Sequence, residues 1–176
     1  MSLADEITNY KAFGSVHMER MKGFYENLPL ETAIIHASTG KNPDGKMNPH
    51  QWRVGKAKGL SGANMLLTNL AEIEKSKTFE EIFSITERVK DDIYGLGELW
   101  SYDTALRIGF NLRTSPLQVY VQRGVNRGVK KVLKGIRPKG RCLPISVFPH
   151  ELHVLETYEI ENFLCIYGKD CKKSLC

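Results

Sequence analysis

The chain has 176 residues, 41% of them apolar, with 25 basic and 20 acidic side chains and a formal net charge of +5. That length suits one domain, and that apolar share supports a packed core and argues against intrinsic disorder. No run approaches the ~20 apolar residues of a membrane span, no basic-then-apolar leader opens the chain, and three of the four cysteines crowd into the last dozen residues, which makes no disulfide framework; the expectation is a cytoplasmic protein without membrane association.

Helical periodicity runs nearly throughout. From about Ala4 to Asn27 the apolar side chains Ile7, Tyr10, Phe13, Val16, Met21 and Phe24 recur at helical spacing, and Pro29 closes the segment. Ala33-Ile34-Ile35 is strand-like in composition but short and isolated. Gly, Asn, Pro and Asp make a loop of Thr39 to Asn48, after which Pro49 opens a helix with Asn48 as cap and Gly59 and Gly62 interrupt it. Ala63, Leu66, Leu67, Leu70 and Ile73 form an apolar stripe. Thr78 and Glu81 have the spacing of a capping box, ahead of Ile82, Ile85, Val89 and Ile93. Gly95-Leu96-Gly97 breaks that helix, and another is predicted from Glu98 to Leu112. Ser115-Pro116, with Gln118, restarts a helix through about Leu133, weakened by Gly124 and Gly128. Gly135 to Pro149 reads as a loop, and a last helix covers about Thr157 to Tyr167.

The charge is unevenly distributed. Ten of the basic residues and no acidic residue lie between Arg107 and Arg141 (Arg107, Arg113, Arg123, Arg127, Lys130, Lys131, Lys134, Arg137, Lys139, Arg141), so that segment carries +10 and the remainder −5. A basic block within a slightly acidic chain points to a polyanion partner. Residues 41–58 add five bases against one acid, and within them His50, Trp52 and Arg53 combine types suited to stacking on a base and contacting phosphate.

The most specific local pattern is Val89-x-x-x-Ile93-x-Gly95-Leu96-Gly97 followed by a helix. Two glycines permit a tight turn and close approach of another backbone. The amides opening the next helix then point outward together and suit a phosphate oxygen. With these residues the segment Phe79 to Lys131 resembles the helix-hairpin-helix DNA glycosylase superfamily. Val119-Tyr120-Val121-Gln122-Arg123 follows the Gly-hydrophobic-Gly turn at the distance where that family carries Val-Asp-Val-His. The resemblance places Tyr120 at the catalytic aspartate and Gln122 at the histidine, and Leu99 where the lyase subgroup has a lysine. A neutral phenol supplies neither a carboxylate to stabilise positive charge on a sugar nor an amine to attack it. Leu99 to Gly109 is also similar to a group of bacterial proteins of unassigned function with this core. The resemblance therefore implies a DNA-binding scaffold more than an excision enzyme.

Asp103, four residues before Arg107 on the predicted helix, is a weak catalytic candidate; an i,i+4 ion pair is the simpler reading. His17, His36, His50, His150 and His153 show no metal-ligand pattern, and Cys142, Cys165, Cys171 and Cys176 have spacing unlike an iron–sulfur set, so neither metal nor cofactor is expected. Nucleotide-binding glycine motifs are absent. The sequence thus predicts an all-α, single-domain bundle of about seven helices over residues 1–176, with a helix-hairpin-helix core at 79–134. Its expected partner is nucleic acid, duplex DNA in the first instance, held through Gly95, Leu96, Gly97, Arg107, Arg113, Arg123, Arg127, Lys130 and Lys131, with His50, Trp52, Arg53 and Tyr120 as further contacts. The alternatives are a divergent base-excision glycosylase and a protein-interaction module docking an acidic partner on the basic face.

Overall fold

A computed structural model describes residues 2–122, 124–134 and 140–168. It is 69% helix and 4% strand, and the only sheet among the described residues is a pair of two-residue strands, so the all-α expectation holds. The chain divides into two compact units: Arg20–Ser115 is continuous, and the other joins Met1–Glu19 to Pro116–Cys176.

The split unit begins with α1 (Leu3–Tyr10), followed without a break by a π-helical turn (Lys11–Ser15) and α2 (Val16–Glu26), which carries on into the continuous unit. Ser2 caps α1 in a capping box with Asp5, a pairing the sequence reading did not use. Ile7 and Tyr10 face a core built with Val119, Val129, Leu152, Ile160, Phe163 and Leu164. The Tyr10 ring meets Phe163 edge-on at 5.6 Å, and its hydroxyl accepts a hydrogen bond from Asn162 Nδ2 at 3.1 Å.

The continuous helix expected from Ser115 to Leu133 is not formed. Val119–Tyr120 is a strand, β1, paired antiparallel with Cys142–Leu143, β2, and Val121 N–H extends the ladder to Arg141 O at 2.8 Å. Thr157 Oγ1 donates to Pro116 O, which ties the Ser-Pro segment to the start of the last helix. Helix resumes only at α8 (Asn126–Val132), and α9 spans Thr157–Gly168. The β-branched and aromatic residues at 119–121 favour the extended chain once a partner strand is at hand. Gly128, read as a helix-weakener, has a packing reason: a Cβ there would overlap Leu164 O of α9, and Gly168 lies 2.5 Å, measured from its own would-be Cβ, from the Gly128 nitrogen. The two helices touch backbone to backbone.

In the continuous unit α3 covers Leu30–Thr39, so Ala33-Ile34-Ile35 is helical. Ala33 and Ile34 are fully buried while Ile35 is exposed, a helical alternation that three residues alone do not reveal. Gly40 (φ +69) ends α3, and Lys41 and Met47 form a bridge across the following loop. Pro49 opens only a 3-10 turn, Pro49–Gln51. Next come α4 (Lys56–Thr68), α5 (Leu70–Lys75), α6 (Phe79–Asp92) and α7 (Glu98–Asn111). The Thr78–Glu81 capping box opens α6 as expected.

Gly59 and Gly62 do not interrupt α4; they are buried in it. A Cβ on Gly59 would sit 2.9 Å from Ser38 O, and one on Gly62 would sit 2.6 Å from the Trp100 ring. Ser38 Oγ donates to Gly59 O at 2.7 Å and Trp100 Nε1 donates to Ser38 O at 2.9 Å, so α3, α4 and α7 meet at one buried point.

The α8–α9 contact gives a direct test. Gly128→Ala adds one methyl against a carbonyl that cannot move without shifting α9, and should lower unfolding stability by about 1–3 kcal/mol, measured as a fall in denaturant midpoint at unchanged m-value.

Candidate nucleic-acid interface

Between α6 and α7 the chain turns through Ile93 to Gly97. Leu96 N–H donates to Ile93 O at 3.2 Å and the Leu96 side chain is buried, so this residue anchors the turn from beneath and offers no contact surface. Gly95 has φ +95, and a Cβ on it would overlap the Lys58 ammonium, which reaches over from α4. Gly97 precedes the first helical residue with φ −117 and ψ 172 and supplies no side-chain cap. The amides of Glu98, Leu99 and Trp100 therefore have no intrahelical acceptor, the ladder starting at Ser101 N–H to Gly97 O at 3.1 Å. Nothing lies within 4 Å of where a Gly97 side chain would project.

The turn is fixed from behind by Trp100, 1% exposed, and fronted by Tyr94, 97% exposed, whose ring centroid lies 5.7 Å from Lys58 Nζ. Ser101 Oγ donates to Glu87 Oε1 at 2.5 Å, joining α7 to α6 a turn further in. One acid, exposed Glu98, stands at the same helix start. The arrangement presents a small concentration of positive potential, from amide dipoles and one ammonium, beside an exposed aromatic ring.

Two expected contact residues, Arg107 and Tyr120, and the weak catalytic candidate Asp103 are placed elsewhere. Arg107 is 6% exposed; its guanidinium donates to Asp103 Oδ2 and to Ala37 O, each at 3.4 Å. It is a structural cation of the α3–α7 packing and cannot reach a ligand phosphate. Asp103 is the other half of that pair, with 14% of its side chain exposed, so the simple i,i+4 reading accounts for it. Nearby Tyr25, pushed up to about 12 by burial, stays a neutral donor and gives its hydroxyl proton to Lys41 O at 2.7 Å. Tyr120 is 8% exposed within β1, so the phenol is not available to stack on a base. Sequence spacing cannot distinguish an exposed arginine from a buried one when both lie in a helical run.

The remaining bases separate by unit. Arg113 belongs to the continuous unit, and Arg127, Lys130, Lys131 and Lys134 to the split unit. Arg127, Lys130 and Lys131 recur at i, i+3 and i+4 on α8, opposite the buried Val125, Gly128, Val129 and Val132, and make a short basic stripe, while Lys134 follows the helix end at φ +50. Lys131 is partly committed within it: its ammonium donates to Tyr167 O at 3.1 Å and lies 5.3 Å from that ring centroid. Arg123, Arg137 and Lys139 lie outside the described residues, as does the side chain of His50.

Trp52 is 66% exposed, its Nε1 donating to Met47 O at 3.2 Å, and Arg53 is exposed beside it. The Trp–Arg pair thus presents an accessible ring and cation. Lys58 is the residue sequence reasoning did not single out. It counted among the bases of 41–58, and only the packing of α4 brings it to a turn 37 positions later.

Among the described residues no cluster of three or more His, Cys, Asp or Glu could hold a metal ion. Cys142 and Cys165 form no disulfide among the described residues, and Cys171 and Cys176 lie outside them. The His150 and His153 rings are 5.3 Å apart, but His153 Nε2 already contacts Phe148 O at 3.0 Å.

Against this geometry, comparison with known proteins returns no match: no family model, curated protein or solved structure aligns with the chain. The likeness to helix-hairpin-helix proteins rests on the local residues alone.

Arg107→Ala should behave as a core mutation. It strands the Asp103 carboxylate in a nearly closed site, and stability should fall by about 3 kcal/mol. Arg127→Ala, on an exposed face, should change stability by less than about 0.5 kcal/mol; urea unfolding of the two variants side by side makes the check.

Proposed function

We propose that the protein binds DNA through the phosphate backbone with little sequence preference, using the α6–α7 turn as a helix-hairpin-helix. The observation that carries this reading is the turn itself: three uncapped amides open onto free space at Gly97, with the Lys58 ammonium alongside. A phosphate oxygen placed there would satisfy donors that have no acceptor among the described residues and meet the positive end of α7. Backbone contacts of this kind fix position without reading bases. Trp52 and Arg53, in the same unit as the turn, are a further exposed ring and cation of the types such a surface uses, and Arg127 and Lys130 of α8 are a separate set of bases in the split unit.

A base-excision activity would need a carboxylate or amine poised at a sugar. The hairpin helix offers Asp103, which is held against Arg107, and Leu99, which is apolar. The binding reading is therefore preferred to the excision reading. An acidic protein partner would use the same bases, and is favoured if DNA binding is absent.

Titration of labelled duplex DNA tests the proposal. Wild-type affinity should fall with salt, the logarithmic slope being about −0.9 per phosphate neutralised. Gly97→Val is the informative variant, because its φ and ψ suit valine and its side chain enters open space; the fold should persist while the phosphate is displaced. Gly97→Val and Lys58→Glu should each weaken binding at least tenfold at low salt. Absence of wild-type binding at low salt, or binding indifferent to both substitutions, overturns the reading.

A further inference from the structure

The opposite end of α7 carries a second feature, independent of the turn. Residues Lys22, Glu26, Phe110, Arg113, Thr114 and Ser115 line a half-open pocket of about 450 Å³, within the range of small-molecule sites. All six belong to the continuous unit.

The pocket is built around an unusual backbone position. α7 ends with Arg113 N–H donating to Phe110 O at 3.2 Å and Thr114 N–H reaching back to Gly109 O at 2.8 Å. This closure places Arg113 in the left-handed region, at φ +58, where glycine is the usual choice. An arginine there is conformationally disfavoured, yet it projects a guanidinium that has no ion pair or hydrogen bond among the described residues. Glu26, the one acid of the pocket, has its own partner in Lys22, 3.9 Å away one turn earlier on α2. Arg113 is left as the unanswered charge. Thr114 carries a hydroxyl buried without a hydrogen-bond partner, and Ser115 adds a second hydroxyl at the pocket wall. Phe110, almost fully buried, closes the apolar side.

We propose that this pocket binds a phosphate group, with Arg113 as its principal ligand. The guanidinium presents two parallel N–H groups to two phosphate oxygens. The Ser115 hydroxyl is the donor at hand for a remaining oxygen, while Lys22 keeps the Glu26 carboxylate at the pocket wall neutralised. The phosphate comes either from a phosphorylated small molecule or from a nucleic-acid backbone. A 14-residue helix is about 20 Å long, so this is a different phosphate from the one assigned to the Gly95–Gly97 turn, and the pocket stands whether or not the turn binds DNA.

Thermal unfolding in inorganic phosphate, against chloride at matched ionic strength, is the test. The wild-type Tm should rise by a few degrees and saturate with phosphate concentration. Arg113→Gly removes the ligand while relieving the left-handed position, so its Tm in chloride should equal or exceed wild type and its phosphate shift should vanish. Lys22→Ala, on a solvent-facing helix position, should fold normally and require several-fold more phosphate for the same shift. A wild-type shift that Arg113→Gly retains, or no wild-type shift at all, overturns the proposal. Where the shift behaves as expected, duplex-DNA affinity identifies the source: unchanged in Arg113→Gly for a small-molecule phosphate, reduced for a backbone phosphate.

Discussion

Three side chains of α7 donate hydrogen bonds to backbone carbonyls at or just beyond the ends of other helices, and the continuous unit depends on them. Trp100 reaches Ser38 O, Arg107 reaches Ala37 O, and Asn111 reaches both Tyr25 O and Leu28 O at 2.8 and 2.7 Å. The last carbonyls of a helix have no partner within it, and burying them unpaired costs stability. Here α7 adds a second donor to Ala37 O and Tyr25 O, which already accept the Gly40 and Leu28 amides, and reaches Ser38 O and Leu28 O beside them, while burying its own apolar face. The Gly95–Gly97 turn gains its definition from this, because Trp100 and the amides of the turn belong to the same helical turn. Fixing the indole fixes the direction in which the amides point.

Much of the helical framework was legible because it rests on local chemistry. The Thr78–Glu81 box and the glycines at 95 and 97 act over three or four residues, and they appear where the spacing put them. Features that depend on a partner distant in sequence were not legible. Gly59, Gly62 and Gly128 look like weak points until the opposing backbone or indole is in view. Residues 119–121 become a strand only because Arg141–Leu143 lies alongside. Ala33-Ile34-Ile35 shows the limit of a short apolar run, where strand and helix give the same local pattern.

The candidate site was legible in part, for a related reason. Formal charge is additive along a sequence, but availability is not. Within the block of ten bases Arg107 is a core residue, Lys131 holds a carbonyl, and Arg113 occupies a strained helix end. Those roles are set by burial and by which acceptors lie within reach. Lys58 shows the converse: an unremarkable lysine in the sequence stands at the turn because α4 packs close through its glycines.

The way the split unit is assembled from the two ends of the chain has a consequence for biosynthesis. Tyr10 and Asn162 share a hydrogen bond across 152 positions of sequence, so α1 leaves the ribosome long before its packing partners exist. The internal contacts of Arg20–Ser115 are between residues made before α9, so this unit can form while the rest is still being translated. During that interval Ile7 and Tyr10 lack Phe163 and Leu164, which cover them in the finished unit.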